Sequence, residues 1–220
     1  MFGRRKRPEA ADPVVQPGVP AVDEPAASTG PWDAAEVDLE SAAADRVDLG
    51  SLLVTGIEGL ELRLQADQDT GAVTAVLFAG PDSGLELRVF AAPKSGGLWA
   101  ELRREMTAET TRLGGTVDEL DGPHGPQLRL QIPVKTSDGR RGVQTSRVAA
   151  VEGPRWLLRA TFLGAAVDET RPREPLEQAL RQVVVVRGAD PMPPRQPLPL
   201  RLPPDARTAS QNGGGDDSAS

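Results

Sequence analysis

Few residues of this chain combine the type and spacing that chemistry requires. Lys94 and Ser95 stand just before a glycine pair in PKSGGLW, where a helix is expected to begin. Helix N-termini attract anions, and a lysine ahead of one adds positive charge, so a phosphate or carboxylate is one candidate ligand there. The stretch lacks the GxxxxGKS/T pattern of a phosphate loop, and its plainer reading is a glycine-mediated turn from strand to helix. Arg155 and Arg159 project from one face of the same predicted strand, with Arg129 and Arg147 on candidate neighbouring strands. Guanidinium forks suit bidentate recognition of carboxylate or phosphate. Arginines on a wet sheet face also pair with glutamates and then contribute little. Trp32 stands alone among acids and alanines in GPWDAAEVDLE. It either docks back on the domain or contacts a partner, since tryptophan is enriched among interface anchors.

The remaining chemistry is mostly excluded by composition. The one histidine, His124, lies in GPHGP, a turn sequence with no nucleophile beside it to serve as the partner of a general base. There is no cysteine, which removes disulfides, thiolate nucleophiles and cysteine metal sites. Asp118, Glu119 and Asp121 lack EF-hand spacing and read as a solvated acidic strand end. No catalytic residue, metal-ligand set or cofactor is therefore assigned. A net charge of -7 argues against sequence-independent binding of nucleic acid. No apolar run approaches the roughly 20 residues that span a bilayer, so membrane insertion is not expected. The start, MFGRRKRPEAADP, is basic but lacks the apolar core of a secretory signal, and a cytoplasmic location is expected.

The candidate residues must be positioned by a sheet. The densest apolar run, VAAVEGPRWLLRATFLG (Val148–Gly164), reads as a β-hairpin at the sheet centre, turning at Glu152-Gly153-Pro154. In its second arm Trp156, Leu158, Ala160 and Phe162 alternate with Arg155, Leu157, Arg159 and Thr161, the period of a strand with one buried face. Upstream, Leu60–Gln65, Ala72–Gly80 and Leu85–Val89 read as a three-stranded meander. Leu98, Leu102 and Met106 then form a helical stripe that ends at Gly114-Gly115. Strands over Thr116–Leu120, Gln127–Val134 and Gly142–Val151 lead into the hairpin's second arm. Leu176, Ala179, Leu180 and Val183 fit a short second helix, whose β-branched end at Val183–Val186 also suits an extended course. The expected fold is α+β: one antiparallel sheet of about seven strands with two helices packed on it. Trp156 is expected to be buried with Leu158 and Phe162 against the first helix.

This domain is expected over residues 49–188. Residues 1–48 read as a disordered acidic, proline-rich arm, because such a segment buries too little apolar surface to offset its ordering entropy. The basic tetrad Arg4, Arg5, Lys6 and Arg7 stands just before the acidic run. Its readings are a contact with an anionic surface or a solubilising terminus. Residues 189–220 read as a proline-rich extended segment followed by a flexible tail, with Leu198, Leu200 and Leu202 alternating as if along the domain surface.

Four motifs together carry a resemblance: FAAPKSGGLWAELR (Phe90–Arg103), GPRWLLR (Gly153–Arg159), VVVVRGADPMPPR (Val183–Arg195) and LPLRLP (Leu198–Pro203). From about Gly30 to Pro203 the chain resembles an uncharacterised family of actinobacterial proteins, domain of unknown function 3710. The resemblance implies a bacterial, cytosolic protein and brings no activity, ligand or catalytic residue. The strand order is also similar to that of Mog1/PsbP-like sandwiches, which are mostly binding or assembly factors. The expectation is a non-enzymatic module that binds or assembles with an unknown protein partner, in an unknown oligomeric state. The alternative is a domain, with or without enzymatic activity, that captures an anion or small ligand through Lys94, Arg155 and Arg159.

Overall fold

A computed structural model describes residues 30–135, 139–168 and 173–203. It opens with β1 (Trp32–Asp33), a 3-10 turn (Ala34–Glu36), α1 (Leu39–Ala44), β2 (Val47–Asp48) and β3 (Leu52–Val54). The meander follows as β4 (Glu61–Ala66), β5 (Val73–Ala79) and β6 (Ser83–Ala91), and then α2 (Leu98–Arg112). Next come β7 (Thr116–Gly122), β8 (Gly125–Lys135), β9 (Arg141–Gly153) and β10 (Trp156–Gly164). A second 3-10 turn (Ala165–Val167), α3 (Glu174–Arg181) and β11 (Val184–Val185) complete the order.

The seven long strands form one antiparallel sheet in the order β4-β5-β6-β10-β9-β8-β7. The β9–β10 hairpin lies at its middle, as the sequence pattern requires. Alternation divides the side chains between two faces. Trp156, Leu158 and Phe162 share one face with Leu85, Leu87, Val76 and Phe78. Leu157 lies on the other with Val148, Ala150, Leu128 and Leu130, and this is the face on which α2 packs through Leu98, Trp99, Leu102 and Met106. Trp156 is indeed buried, at 1% exposure, with the two neighbours expected of it. The helix expected to cover it is on the wrong side: α3 and a second sheet cover Trp156, and α2 covers Leu157.

The single sheet expected from the sequence is therefore two. The second is four-stranded, in the order β1-β11-β3-β2, with β1 and β11 parallel. Its strands are two or three residues long, too short for a period of two to register in sequence. It adds Leu52, Val54, Val183 and Val185 to the main core, while Leu53 and Val184 face α1 and Trp32. A third helix, α1, accompanies it, where two helices were expected.

The small sheet also corrects the domain boundary. Residues 30–48, assigned above to a disordered arm, carry β1, α1 and β2. Their apolar content alone does not order them; long-range bonds do. Trp156 Nε1 donates to Asp33 Oδ2 at 2.6 Å in a buried hydrogen bond. Trp32 N donates to the Val183 carbonyl at 2.9 Å, and Arg46 reaches the Gln182 carbonyl. Gly30 has a positive φ of 71°, and a Cβ there would lie 1.9 Å from the Arg181 carbonyl oxygen, so no other residue fits. The arm reading for residues 1–29, and the basic tetrad within it, lie outside the described residues.

At the other end, residues 189–203 form a strap. Strand β5 pairs with β6 only through Val76–Ala79 and Gly84–Leu87. Beyond Leu87 the strap takes up the exposed edge of β6: Arg195 N donates to the Ala91 carbonyl, Ala91 N to that of Gln196, and Leu198 N to that of Val89. Leu200 then bridges to Val73 of β5 and to Gly50 beside the small sheet. The alternating leucines were legible as surface-following. Leu198 in fact enters the core, at 2% exposure. The tail beyond residue 203 lies outside the described residues.

Two truncations test this packing. Trp156→Ala should cost about 3–5 kcal/mol and Leu198→Ala about 2–5 kcal/mol, through lost burial plus a cavity. Arg155→Ala should stay within about 0.5 kcal/mol, as a surface change does. Urea midpoints measure all three, and a wild-type midpoint for Leu198→Ala would show that the strap is not part of the fold.

Candidate functional site

The residues singled out by sequence occupy four different surroundings. Lys94 and Ser95 are exposed just before α2. The start of that helix already holds a carboxylate of the chain itself. Glu152, at the end of β9, accepts from Gly97 N at 3.3 Å and from Trp99 N at 3.2 Å. A carboxylate at this position satisfies otherwise unpaired amides and suits the helix dipole, the same work an external anion would do.

Arg155 contributes its backbone. It sits in the hairpin turn with a positive φ of 65°, and its carbonyl accepts from Ala92 N at 2.8 Å and Arg187 Nε at 3.2 Å. Gly153 before it leaves room for the Trp156 ring, which a Cβ would meet at 2.1 Å. Arg159 lies four residues along β10, about 13 Å away at the usual strand rise. Its guanidinium is 5.6 Å from the Phe90 ring centre and 3.7 Å from Glu86, which is already bound by Arg88 at 2.8 Å. Burial, and then the neighbouring Arg88, push the Arg159 guanidinium below its usual range, with Glu86 opposing them. Trp32 is docked: it pairs with Val184 and packs over Leu53 and Ala42.

Two other arrangements emerge from the fold. The first is a groove on the α2 face. The second half of α2 lies over β8, and Met106, Leu113, Leu130 and Ile132 line a cleft of about 310 Å³ between them, rimmed by Glu105 and Glu109. Leu113, just past the helix end, is 46% exposed. Arg195 of the strap binds both Glu101 and Glu105, at 2.9 and 2.8 Å, which ties α2 to the strap along β6.

The second lies under α3 on the opposite face. The β8–β9 register sets Arg129 directly beside Arg147, and Arg147 is itself beside Phe162 of β10. Arg173, at the start of α3, covers the Phe162 ring at 5.7 Å. One turn on, Glu177 is 3.8 Å from Arg173 Nε and 3.7 Å from His124 Nε2, reached from the β7–β8 turn. The turn sequence GPHGP leaves His124 a structural or incidental role. Its side chain is 9% exposed and part of an ionic cluster. Arg129 and Arg147 do lie on neighbouring strands, but on the face opposite Arg159. The contribution of Arg173 and Glu177, within PREPLEQ, went unnoticed because that stretch signals only a helix start. Among the described residues no group of His, Asp or Glu is gathered closely enough to hold a metal ion.

The family model described as "Protein of unknown function (DUF3710)" matches residues 30–209. The chain belongs to this family. The match begins at Gly30, the residue that packs against Arg181, and so takes in the small sheet and the strap of this DUF3710 protein. No curated protein matches it. None of its described helices is long and apolar enough to cross a membrane.

Glu177 gives the cluster under α3 a pH signature. Burial on its own raises the Glu177 carboxyl, but His124, Arg173 and Arg181 outweigh it and hold the group below its ordinary value of 4.5. A lowered folded value stabilises above 4.5 and is lost as pH falls through it. Glu177→Gln should therefore lower the urea midpoint at pH 7, and the gap from wild type should narrow progressively as the pH falls below 4.5. A gap that stays the same as the pH falls would show that the carboxylate's charge plays no part.

Proposed function

We propose that this protein is a non-enzymatic binding module whose partner is another protein, seated on the α2 face of the large sheet. The observation that supports this most is the groove lined by Met106, Leu113, Leu130 and Ile132, an apolar cleft at the surface of an acidic protein. Its size suits one or two apolar side chains, and apolar clefts with a few polar groups at the rim are the usual form of recognition sites. Met106 adds adaptability, since an unbranched thioether re-packs around different guests. Arg195 of the strap pairs at 2.8 Å with Glu105 at the groove's rim, which places the strap beside the groove. The alternative, capture of an anion by Lys94, Arg155 and Arg159, has weaker support, because Glu152 occupies the helix terminus that would attract it.

Leu113→Arg tests the proposal without disturbing the core, because that side chain is already half in water. Its melting temperature should match wild type. Crosslinking in cells that produce the tagged full chain, followed by mass spectrometry, should recover a partner with wild type and with Lys94→Ala, and lose it with Leu113→Arg. The same recovery from Leu113→Arg would remove the groove from the function.

A further inference from the structure

Two guanidiniums set directly opposite each other on a sheet repel, and such a pair persists where something negative or well hydrated offsets it. Arg129 of β8 and Arg147 of β9 are such a pair, and the row continues to Phe162, over whose ring lies Arg173. Two guanidiniums thus stand on one row of the sheet, and a third, from the start of α3, lies over the same row. Arg147 carries a polar interaction of its own. The others have donors to spare: Arg129 Nε and Arg173 Nη1 are buried and form no hydrogen bond with the described residues. Neither does His124 Nε2, on a side chain more than nine-tenths buried.

Glu177 faces His124 at 3.7 Å and Arg173 at 3.8 Å, beyond hydrogen-bond reach of either. Asp118 is the other register neighbour of Arg129, on β7, and is exposed. The site is reachable, since Arg173 keeps 18% of its side chain in solvent and Arg129 is half-buried. Planar donors in fixed orientation, next to an apolar ring, make a receptor for a small planar or tetrahedral oxyanion.

We propose that Arg129, Arg147 and Arg173, closed at one end by His124, form a binding site for a small oxyanion of the phosphate or carboxylate type. The site is on the face opposite the α2 groove, so it stands or falls independently of the protein-binding proposal. Arg129 and Arg173 supply the free donors, and Arg147 supplies charge. Glu177 keeps the far end of the cluster from binding a second anion.

Isothermal titration calorimetry on the full chain at fixed ionic strength tests this with two probes, inorganic phosphate and malonate. Saturable one-to-one binding of at least one is expected, and which of them binds distinguishes a phosphate ligand from a carboxylate one. Arg129→Lys, which keeps the charge and loses the fork, and Arg173→Gln should each weaken that binding at least tenfold. Lys94→Ala should leave it unchanged. In the absence of anion Arg129→Gln should melt no lower than wild type, because it relieves the repulsion with Arg147, and its melting temperature should no longer respond to the probe. Overturning results are no saturable binding of either probe, or wild-type binding by both Arg129→Lys and Arg173→Gln.

Discussion

A carboxylate buried against an indole joins parts of this chain that are far apart in sequence. Asp33 Oδ2 accepts from Trp156 Nε1 at 2.6 Å, while Oδ1 accepts from Ala35 N at 2.8 Å and the Asp33 amide donates to Glu36 at 2.7 Å. An ionised group in a core is tolerated only when its oxygens are occupied, and here each one is. The bond fixes β1, β1 aligns β11, and β11 holds β3, so the four-stranded sheet is seated on the large one through this contact. Trp156 is both the largest fully buried side chain and the donor, which links the packing of the main core to the order of residues 30–48.

The strap does at the far end what β1 does at the near one. Each supplies backbone partners that the seven-stranded sheet and the short sheet lack by themselves. Covering the outer half of β6 removes an exposed edge, the feature that most often invites unwanted pairing. With Leu198 in the core and Arg195 on α2, the strap spans from one face of the sheet to the other. The second half of α2 stays open beside β8, where Leu113 is 46% exposed at the edge of the groove.

Legibility in the sequence followed element length. Strands of six to thirteen residues, from β4 to β10, display their alternation openly, and α2 displays its stripe at Leu98, Leu102 and Met106. Strands of two residues display nothing, and β1 was hidden further by its acidic surroundings. The side of the sheet on which α2 packs depends on a crossover, and alternation alone assigns faces without saying which helix covers which. Among the site residues, Arg155 and Arg159 were visible as a pair of like charges at strand spacing. The turn conformation of Arg155 and the Glu86–Arg88 pair beside Arg159 were not. Arg129 and Arg147 were visible singly; their adjacency depends on a register set across the β8–β9 hairpin, and Arg173 joins them only when α3 folds back.

The Asp33–Trp156 contact holds the two sheets together, and a double-mutant cycle measures it directly. Asp33→Ala, Trp156→Phe and the double variant, unfolded in urea beside wild type, give the coupling free energy free of each residue's other contacts. A buried hydrogen bond to a charged acceptor should appear as a coupling of about 1.5–3 kcal/mol. Costs that add to within about 0.5 kcal/mol would contradict the account, because the two residues would then be energetically independent.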